Sequence, residues 1–389
     1  MFEGQMVFPQ LLEFLPRRTF DNCVRRYQGN KRVRSLSCRD QFLAMMFAQL
    51  TSRRSLRDLE ICLAAMQPKL FHAGFRSRIR RSTLADANRQ RDWLIWQDLG
   101  LALIQRARRL YAGETLAVDL KNTAYALDST VIDLSLTLFL WAHSQRDKAG
   151  LKLHTVLDMR GNIPCVLRVS STKTRDCAML DDLPIEAGSM YVMDRDYNDF
   201  ARLHRLHQTG AFFLVRGKNN LTFRRQRSRQ VDREIGLRCD QTVLLKDRRT
   251  YAKYPTHLGR IRYRNLETDR TFQFITNHFL LSPMDVVNLY WQRWEIEVFF
   301  KWIKQHLRIQ HFLSNTVNAV KTQIWIAVST YVLVAIVKKE LRIDRSLSEI
   351  LHILNLTLFE KTPVKQVLQE TKLPNPDTPC PNQLHLFDL

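Results

Sequence analysis

Acidic residues are scarce in this chain. Sixty lysines and arginines face 38 aspartates and glutamates, leaving a formal charge of +22 and a pI near 10.0. Such a surplus is extreme for an enzyme of small metabolites and points to a polyanionic partner, nucleic acid first and an anionic membrane second. Long apolar runs are also missing. The longest, Ile324 to Val337, has 14 residues and contains Ser329 and Thr330, too short to span a bilayer, so it reads as a buried helix. The opening MFEGQMVFPQ has no basic region followed by an apolar core, so no secretory signal is expected. The seven cysteines (23, 38, 62, 165, 177, 239 and 380) are odd in number and include no Cys-x-x-Cys pair. They imply neither a zinc site nor a disulfide framework, and they suit a reducing cytoplasm. No internal repeat or low-complexity tract is present.

What the chain does have is concentrated in one stretch, Ser282 to Leu307, SPMDVVNLYWQRWEIEVFFKWIKQHL. Ser282 is a good N-cap, Pro283 fits the first helical position and Asp285 sits where a capping-box acid would, so one helix is expected over 282–307. At 100° per residue Tyr290, Arg293, Glu297, Lys301 and Lys304 fall within an arc of about 80°. Leu289, Ile296, Phe299, Phe300 and Ile303 wall this stripe on one side, and Val287, Trp291, Trp294, Val298 and Trp302 on the other. The solvent face is then Asn288, Gln292, Glu295 and His306, and the charged stripe should line a cleft. The bland alternative for Glu297 is a salt-bridge ladder with Arg293 and Lys301, each four residues away.

The spacing Tyr290, two residues, Arg293, three residues, Glu297, six residues, Lys304 resembles the Y-R-E-K signature of DDE transposases of the insertion-sequence-four family. The resemblance implies that Glu297 is the third catalytic carboxylate and that two aspartates precede it on strands of a ribonuclease-H-like core. The implied fold class is an α/β ribonuclease-H-like catalytic core with a mostly β insertion, preceded by a helical N-terminal DNA-binding domain.

Residues 1–115 read as helical and basic. Phe8 to Leu15 gives a short helix, Ser37 to Leu50 a second, and Ser55-Leu-Arg-Asp58 a capped start for a third. A Gly74 turn and a dense basic run then lead to a Ser82-capped helix bearing Asn88, Arg89 and Arg91. Such a helix could enter a major groove, with Arg76, Arg78, Arg80 and Arg81 on phosphates; the alternative is a solvated basic helix. The segments FPQLLEFLPRRTF and STLADAN also look like the N-terminal region of this transposase family. Residues 116–216 read as the first part of the core: a strand from Tyr125 to Leu134, a hairpin from Leu151 to Ser170 turning at Gly161-Asn162, the strand Met190 to Met193, a helix to Gln208 and the strand Ala211 to Val215. Residues 217–281, crowded with arginine, resemble the family's β insertion, with strand-like runs at Thr242 to Leu245, Arg260 to Tyr263 and Thr271 to Thr276. Residues 282–372 complete the core through helices Asn318 to Leu341 and Ser346 to Leu354. The stretch 373–389, with four prolines in the segment 374–381, reads as a poorly ordered tail.

Asp128 interrupts an apolar strand, where an unpaired charge costs several kcal/mol. It is either functional, or paired with a buried Arg, or capping a turn through Ser129 and Thr130. Asp133 ranks second, and Asp158 marks the hairpin turn. Asp194 ends an apolar strand at a loop, a usual functional position in an open α/β sheet; the alternative is that Asp194, Asp196 and Asp199 cap the next helix. The run Asp194-Arg195-Asp196-Tyr197 matches the family pattern around its second catalytic Asp, with Asp196 where Gly is common. The resemblance therefore implies Asp128, Asp194 and Glu297 as catalytic residues and ligands of two Mg2+ ions, with Mn2+ able to substitute. Two such ions about 4 Å apart activate an attacking oxygen and stabilise the leaving one. It also implies that Tyr290, Arg293, Lys301 and Lys304 grip DNA near the scissile bond. No Trp lies between Asp194 and Trp291, where some relatives hold a flipped base, so a hairpin route is not assumed. The expected function is a bacterial, cytoplasmic transposase that binds terminal inverted repeats and target DNA as a homodimer and cuts and pastes its element. The rivals are a catalytically idle DNA-binding descendant and a metal-dependent nuclease of the same fold.

Overall fold

The hydrophobic period changes from about Tyr125, and in the computed structural model the first strand begins at Ala124, after the last of the opening helices ends at Tyr111. The structure describes residues 4–53, 55–116, 118–120, 122–134, 149–307 and 316–369; the expected tail at 373–389 and Cys380 lie outside them. The first helices are α1 (Val7–Glu13), α2 (Arg17–Arg26), α3 (Cys38–Leu50), α4 (Leu56–Ala65), α5 (Gln67–Leu70), α6 (Arg81–Gln90) and α7 (Leu94–Tyr111). Ser37 starts α3 through a capping box with Asp40, and Ser55 caps α4 by accepting from the Asp58 N–H. One expected start is corrected: Ser82 lies inside α6, whose N-cap is Arg80 with no side-chain cap.

The sheet is built from β1 (Ala124–Leu134), β2 (Ala149–Asp158), β3 (Ile163–Ser171), α8 (Met179–Asp182), β4 (Met190–Met193), α9 (Phe200–Gln208) and β5 (Phe212–Arg216). It continues through β6 (Phe223–Arg229), β7 (Leu237–Leu245), α10 (Arg248–Lys253), β8 (Leu258–Arg264) and β9 (Thr271–Thr276). Strands β1, β2 and β3 are antiparallel, while β4 pairs parallel to β1 and β5 parallel to β4. The arginine-rich 217–281 stretch is mostly β as expected, but it forms no separate layer: β9 pairs with β5, giving one nine-stranded mixed sheet ordered β3-β2-β1-β4-β5-β9-β8-β7-β6 among the described residues. A continuous row of backbone hydrogen bonds thus ties the arginine-bearing strands to the strand beside Asp194.

The closing helices are α11 (Pro283–Gln292), α12 (Glu295–Leu307), α13 (Val317–Leu341), α14 (Leu347–Thr357) and α15 (Val364–Leu368). Helix α13 is long and apolar enough to cross a membrane, yet 94% of its apolar window is buried inside the protein, which makes it the central core helix. Two of its buried hydroxyls are satisfied in place: Ser329 Oγ donates to Trp325 O at 2.7 Å and Thr330 Oγ1 to Ile326 O at 2.8 Å. Around it one hydrophobic core joins α1, α3, α7, α11, α12, α14 and one face of the sheet, while α8, α9 and Tyr254 cover the other face. The helices before residue 115 therefore share a core with the sheet-bearing part.

The β2–β3 turn shows how tightly this core is closed. Gly161 has φ +79°, and a Cβ there would fall 2.1 Å from the Tyr111 ring, whose hydroxyl donates to Ala335 O on α13 at 2.8 Å. Gly161→Ala is expected to lower the unfolding free energy by about 2 kcal/mol or more, read by urea denaturation. A change under about 0.5 kcal/mol would show that the turn and Tyr111 move apart freely.

Candidate active site

The capped helix begins as the sequence indicates: Ser282 and Asp285 form a capping box with Pro283 in the first turn. It does not run unbroken to Leu307. Tightened i→i+3 bonds at Arg293, Trp294 and Glu297 separate α11 from α12. The tighter turn shifts the helical phase beyond it, so Trp294 and Val298, expected on an apolar face, are 60% and 39% exposed. Asn288 and Glu295 face solvent as expected; the side chain of His306 lies outside the described residues.

Three carboxylates from three distant elements meet around this break. Asp128 projects from the middle of β1, Asp194 comes directly after the last residue of β4, and Glu297 stands in the first turn of α12. Arg293 Nη1 donates to Asp128 Oδ2 at 2.8 Å and its Nη2 to Glu297 Oε1 at 3.1 Å. Tyr290 Oη donates to Asp194 Oδ1 at 3.0 Å, and the Arg293 guanidinium lies 5.3 Å from the Tyr290 ring centre. Arg293 is 6% exposed and Tyr290 4%. Burial opposes the charge of Arg293, but Tyr290, Asp128, Asp194 and Glu297 outweigh it and raise its pKa. Burial likewise pushes the Tyr290 hydroxyl up to about 12, so it stays a proton donor to Asp194.

These contacts also settle the bland alternatives residue by residue. Asp128 does pair with a buried Arg, and it accepts the Ser129 N–H at 2.7 Å. Glu297 does pair with Arg293, but among the described residues Lys301 has no ion pair with it. The Asp194 side chain caps no helix; Asp199 caps α9, accepting from the Arg202 N–H. Asp158 ends β2 and binds the Arg160 N–H at the turn. Asp133 pairs in register with Gly150, and its side chain lies outside the described residues.

Burial raises the Asp128 carboxyl to about 6; Arg293 and the Ser129 N–H pull it down, and Asp194 and Glu297 push it up again. The ordinary value is 3.8, so between the two the folded state binds more protons than the unfolded one. Stability of the metal-free protein is therefore expected to fall as pH rises through this window, by about 3 kcal/mol in all. Asp128→Asn in chelator should remove that slope and be the more stable protein above pH 6. Parallel stability-versus-pH curves for the two proteins would refute the assignment.

The donors here are all hard oxygens, which suit a divalent cation such as Mg2+. Among the described residues no three His, Cys, Asp or Glu side chains are gathered in metal-holding geometry. The guanidinium of Arg293 supplies the positive charge between Asp128 and Glu297 in this conformation, so the site fits a cation in charge and chemistry.

The signature stripe divides in two. Tyr290 and Arg293, expected on DNA, turn inward to the carboxylates. Glu297 and Lys301 line a cavity of about 910 Å³ with Trp294, Trp302, Tyr331 and Lys338, and Lys304 is exposed. Arg76, Arg78, Arg80, Arg81 and Arg89 are exposed, Arg89 beside Asp86 at 2.7 Å. Asn88 is a correction. It is 2% exposed, its side-chain oxygen accepts from Gln41 at 2.7 Å and its backbone carbonyl from Asn318 at 3.0 Å, so it joins α6 to α3 and α13 and is not free for a groove. Arg91 is likewise held, by Gln41 and Leu36 O.

A family model described as "Transposase DDE domain" matches residues 119–333, which include all three carboxylates. The chain belongs to the DDE-domain transposases. Residues 3–76 match a domain of unknown function, DUF4372. A protein of Sinorhizobium fredii named as a transposase is 30% identical to this DDE transposase over 73% of the chain and 79% of its own length. A probable transposase for insertion sequence element IS5377 of Geobacillus stearothermophilus is 28% identical over 53% and 54%. A solved synaptic complex of piggyBac transposase with hairpin DNA overlays 94% of this chain and 85% of its own at 11% identity and a TM-score of 0.47, a likeness too distant to bear on function.

Two more side chains near this transposase's carboxylates lie outside the helix spacing of Tyr290, Arg293, Glu297 and Lys304. Tyr197 is buried with no hydrogen-bond partner for its hydroxyl among the described residues. Arg216 closes the apolar strand FFLVR, the same signal that draws attention to Asp194 at the end of MYVM.

Proposed function

We propose that this transposase cuts and pastes a bacterial insertion sequence, binding its terminal inverted repeats as a homodimer in the cytoplasm, and that its core is ribonuclease-H-like with the Y-R-E-K helix of the insertion-sequence-four family. The observation that carries the proposal is the convergence of Asp128, Asp194 and Glu297 around Arg293 and Tyr290. The three carboxylates would hold two Mg2+ ions. When bound, the ions activate the attacking oxygen and stabilise the leaving one in phosphoryl transfer. The chain's own part is orientation. Tyr290 turns the Asp194 carboxylate by donating to one of its oxygens, and Arg293 fixes Asp128 and Glu297 relative to each other. Lys301, Lys304 and the exposed Arg76, Arg78, Arg80, Arg81 and Arg89 would hold backbone phosphates, where the excess charge makes binding steeply salt-dependent.

The test uses labelled DNA from the ends flanking the coding sequence, with a supercoiled target, in Mg2+ and in chelator. Metal-dependent cutting at the ends with joined product supports the proposal. Cutting without joining favours a nuclease, and binding without cutting favours an idle DNA-binding descendant.

A further inference from the structure

Of Arg293 and Arg216, the protein's own carboxylates, Asp128 and Glu297, occupy the first. Arg216 has no ion pair among the described residues, although it stands on the same face. Its position comes from strand register. Strands β4 and β5 are parallel with Met193 opposite Val215, so Asp194 and Arg216 extend the same pairing by one step and point to the same side of the sheet. On the other side Arg216 pairs with Phe274 of β9, and its guanidinium lies 5.0 Å from the ring centre of Phe272, two residues along that strand. The Phe274 ring is 4.7 Å from the ring of Tyr290, which hydrogen-bonds Asp194. The backbone is fixed as well: Asn198 Nδ2, from the loop after Asp194, donates to Arg216 O at 2.7 Å.

We infer that Arg216 is the substrate-phosphate ligand of the active site, contacting a non-bridging oxygen of the DNA strand at or next to the scissile phosphate on the Asp194 side. This rests on the transposase reading. A guanidinium set over the Phe272 ring, 5.0 Å from its centre, can turn its N–H edge to two oxygens of one phosphate, a geometry lysine cannot reproduce. With Arg293 committed to Asp128 and Glu297, Arg216 is the guanidinium on this face left to meet a phosphate.

The test has a binding arm and a chemical arm. In the binding arm, affinity for end DNA is measured across salt for wild type and Arg216→Gln, and loss of one phosphate contact should reduce the log–log salt slope by about 0.9. In the chemical arm, single-turnover cutting in Mg2+ is measured on DNA carrying one neutral methylphosphonate at a time beside the mapped cut. Arg216→Gln should cut about a hundredfold more slowly, with Arg216→Lys recovering only part. The methylphosphonate at the contacted position should slow wild type but add no further loss to Arg216→Gln, a coupling that a merely structural role would not produce. If every methylphosphonate slows both proteins equally, or the salt slope is unchanged, the inference is overturned. Should wild type bind without cutting, the transposase reading fails alone, and the salt slope still decides the role of Arg216.

Discussion

Glu297→Gln is expected to bind end DNA within about threefold of wild type, because affinity resides in phosphate contacts that the carboxylate does not make, and to cut it about a thousandfold more slowly or worse. The substitution is nearly isosteric. The amide oxygen can still accept from Arg293 Nη2, now 3.1 Å from Glu297 Oε1, and the side chain is 37% exposed, so the helix break and the cavity wall survive. What disappears is a full negative charge and a metal ligand. The same loss removes one of the groups that raise Asp128, so the pH window of Asp128 should move down in the variant. Single-turnover cutting in Mg2+ and a gel shift in chelator measure the two halves. Cutting within about tenfold of wild type would place the third carboxylate elsewhere.

The strands before residue 216 can be placed from sequence to within a few residues because each is rich in β-branched or aliphatic residues, with Asp158, Asp194 and Gly217 marking the ends of β2, β4 and β5, and the burial of β4 on both faces demands its unbroken apolar run. The stretch after 217 was harder, since β6 carries exposed arginines and β8 alternates arginine with apolar residues, so the length of each strand is set by pairing rather than by hydrophobicity. Arg260 illustrates this. It looks like a phosphate-binding cation in the sequence, but it donates to Gln273 and Gln241 and stacks on Phe223. Its partners come from three other strands, and no local pattern announces them. The break between α11 and α12 was hidden for a related reason: no Gly or Pro marks it, and the tertiary demand to turn Tyr290 and Arg293 towards β1 and β4 overrides helical propensity.

At the site, the three carboxylates stand out in the sequence on different grounds: Asp128 as an acid inside an apolar strand, Asp194 as an acid at a strand end, and Glu297 by its spacing from Tyr290, Arg293 and Lys304. The roles of their neighbours do not. A basic residue on a charged helix face reads as a phosphate contact, and only the structure shows that Arg293 sits inside, against Asp128 and Glu297. Asn88 misled in the same direction, because a polar residue on a basic helix reads as exposed, whereas its partners Gln41 and Asn318 lie 47 and 230 residues away.

Arg293→Met should be among the most destabilising single changes in the molecule. The methionine fills much of the arginine's volume but leaves Asp128 and Glu297 facing each other, with Asp128 only 23% exposed. At pH 7.5 in chelator, above the Asp128 value of about 6, the expected loss is about 3–5 kcal/mol, the range for breaking a buried pair from one side. At pH 5 the loss should be much smaller, since burial holds Asp128 protonated up to about 6, and removing Arg293 raises that value further. Mg2+ should then stabilise the variant more than it stabilises wild type, because a divalent ion entering the variant meets no resident cation, whereas in wild type it must share the carboxylates with Arg293. Urea denaturation of both proteins at the two pH values, with and without Mg2+, reads all three expectations. A loss equal at both pH values with an equal Mg2+ effect would make Arg293 a packing residue. The predicted pattern would instead mean that Arg293 compensates the carboxylates until metal and DNA arrive, which is why a side chain so close to the reacting centre can be buried, charged and yet not free to hold the substrate.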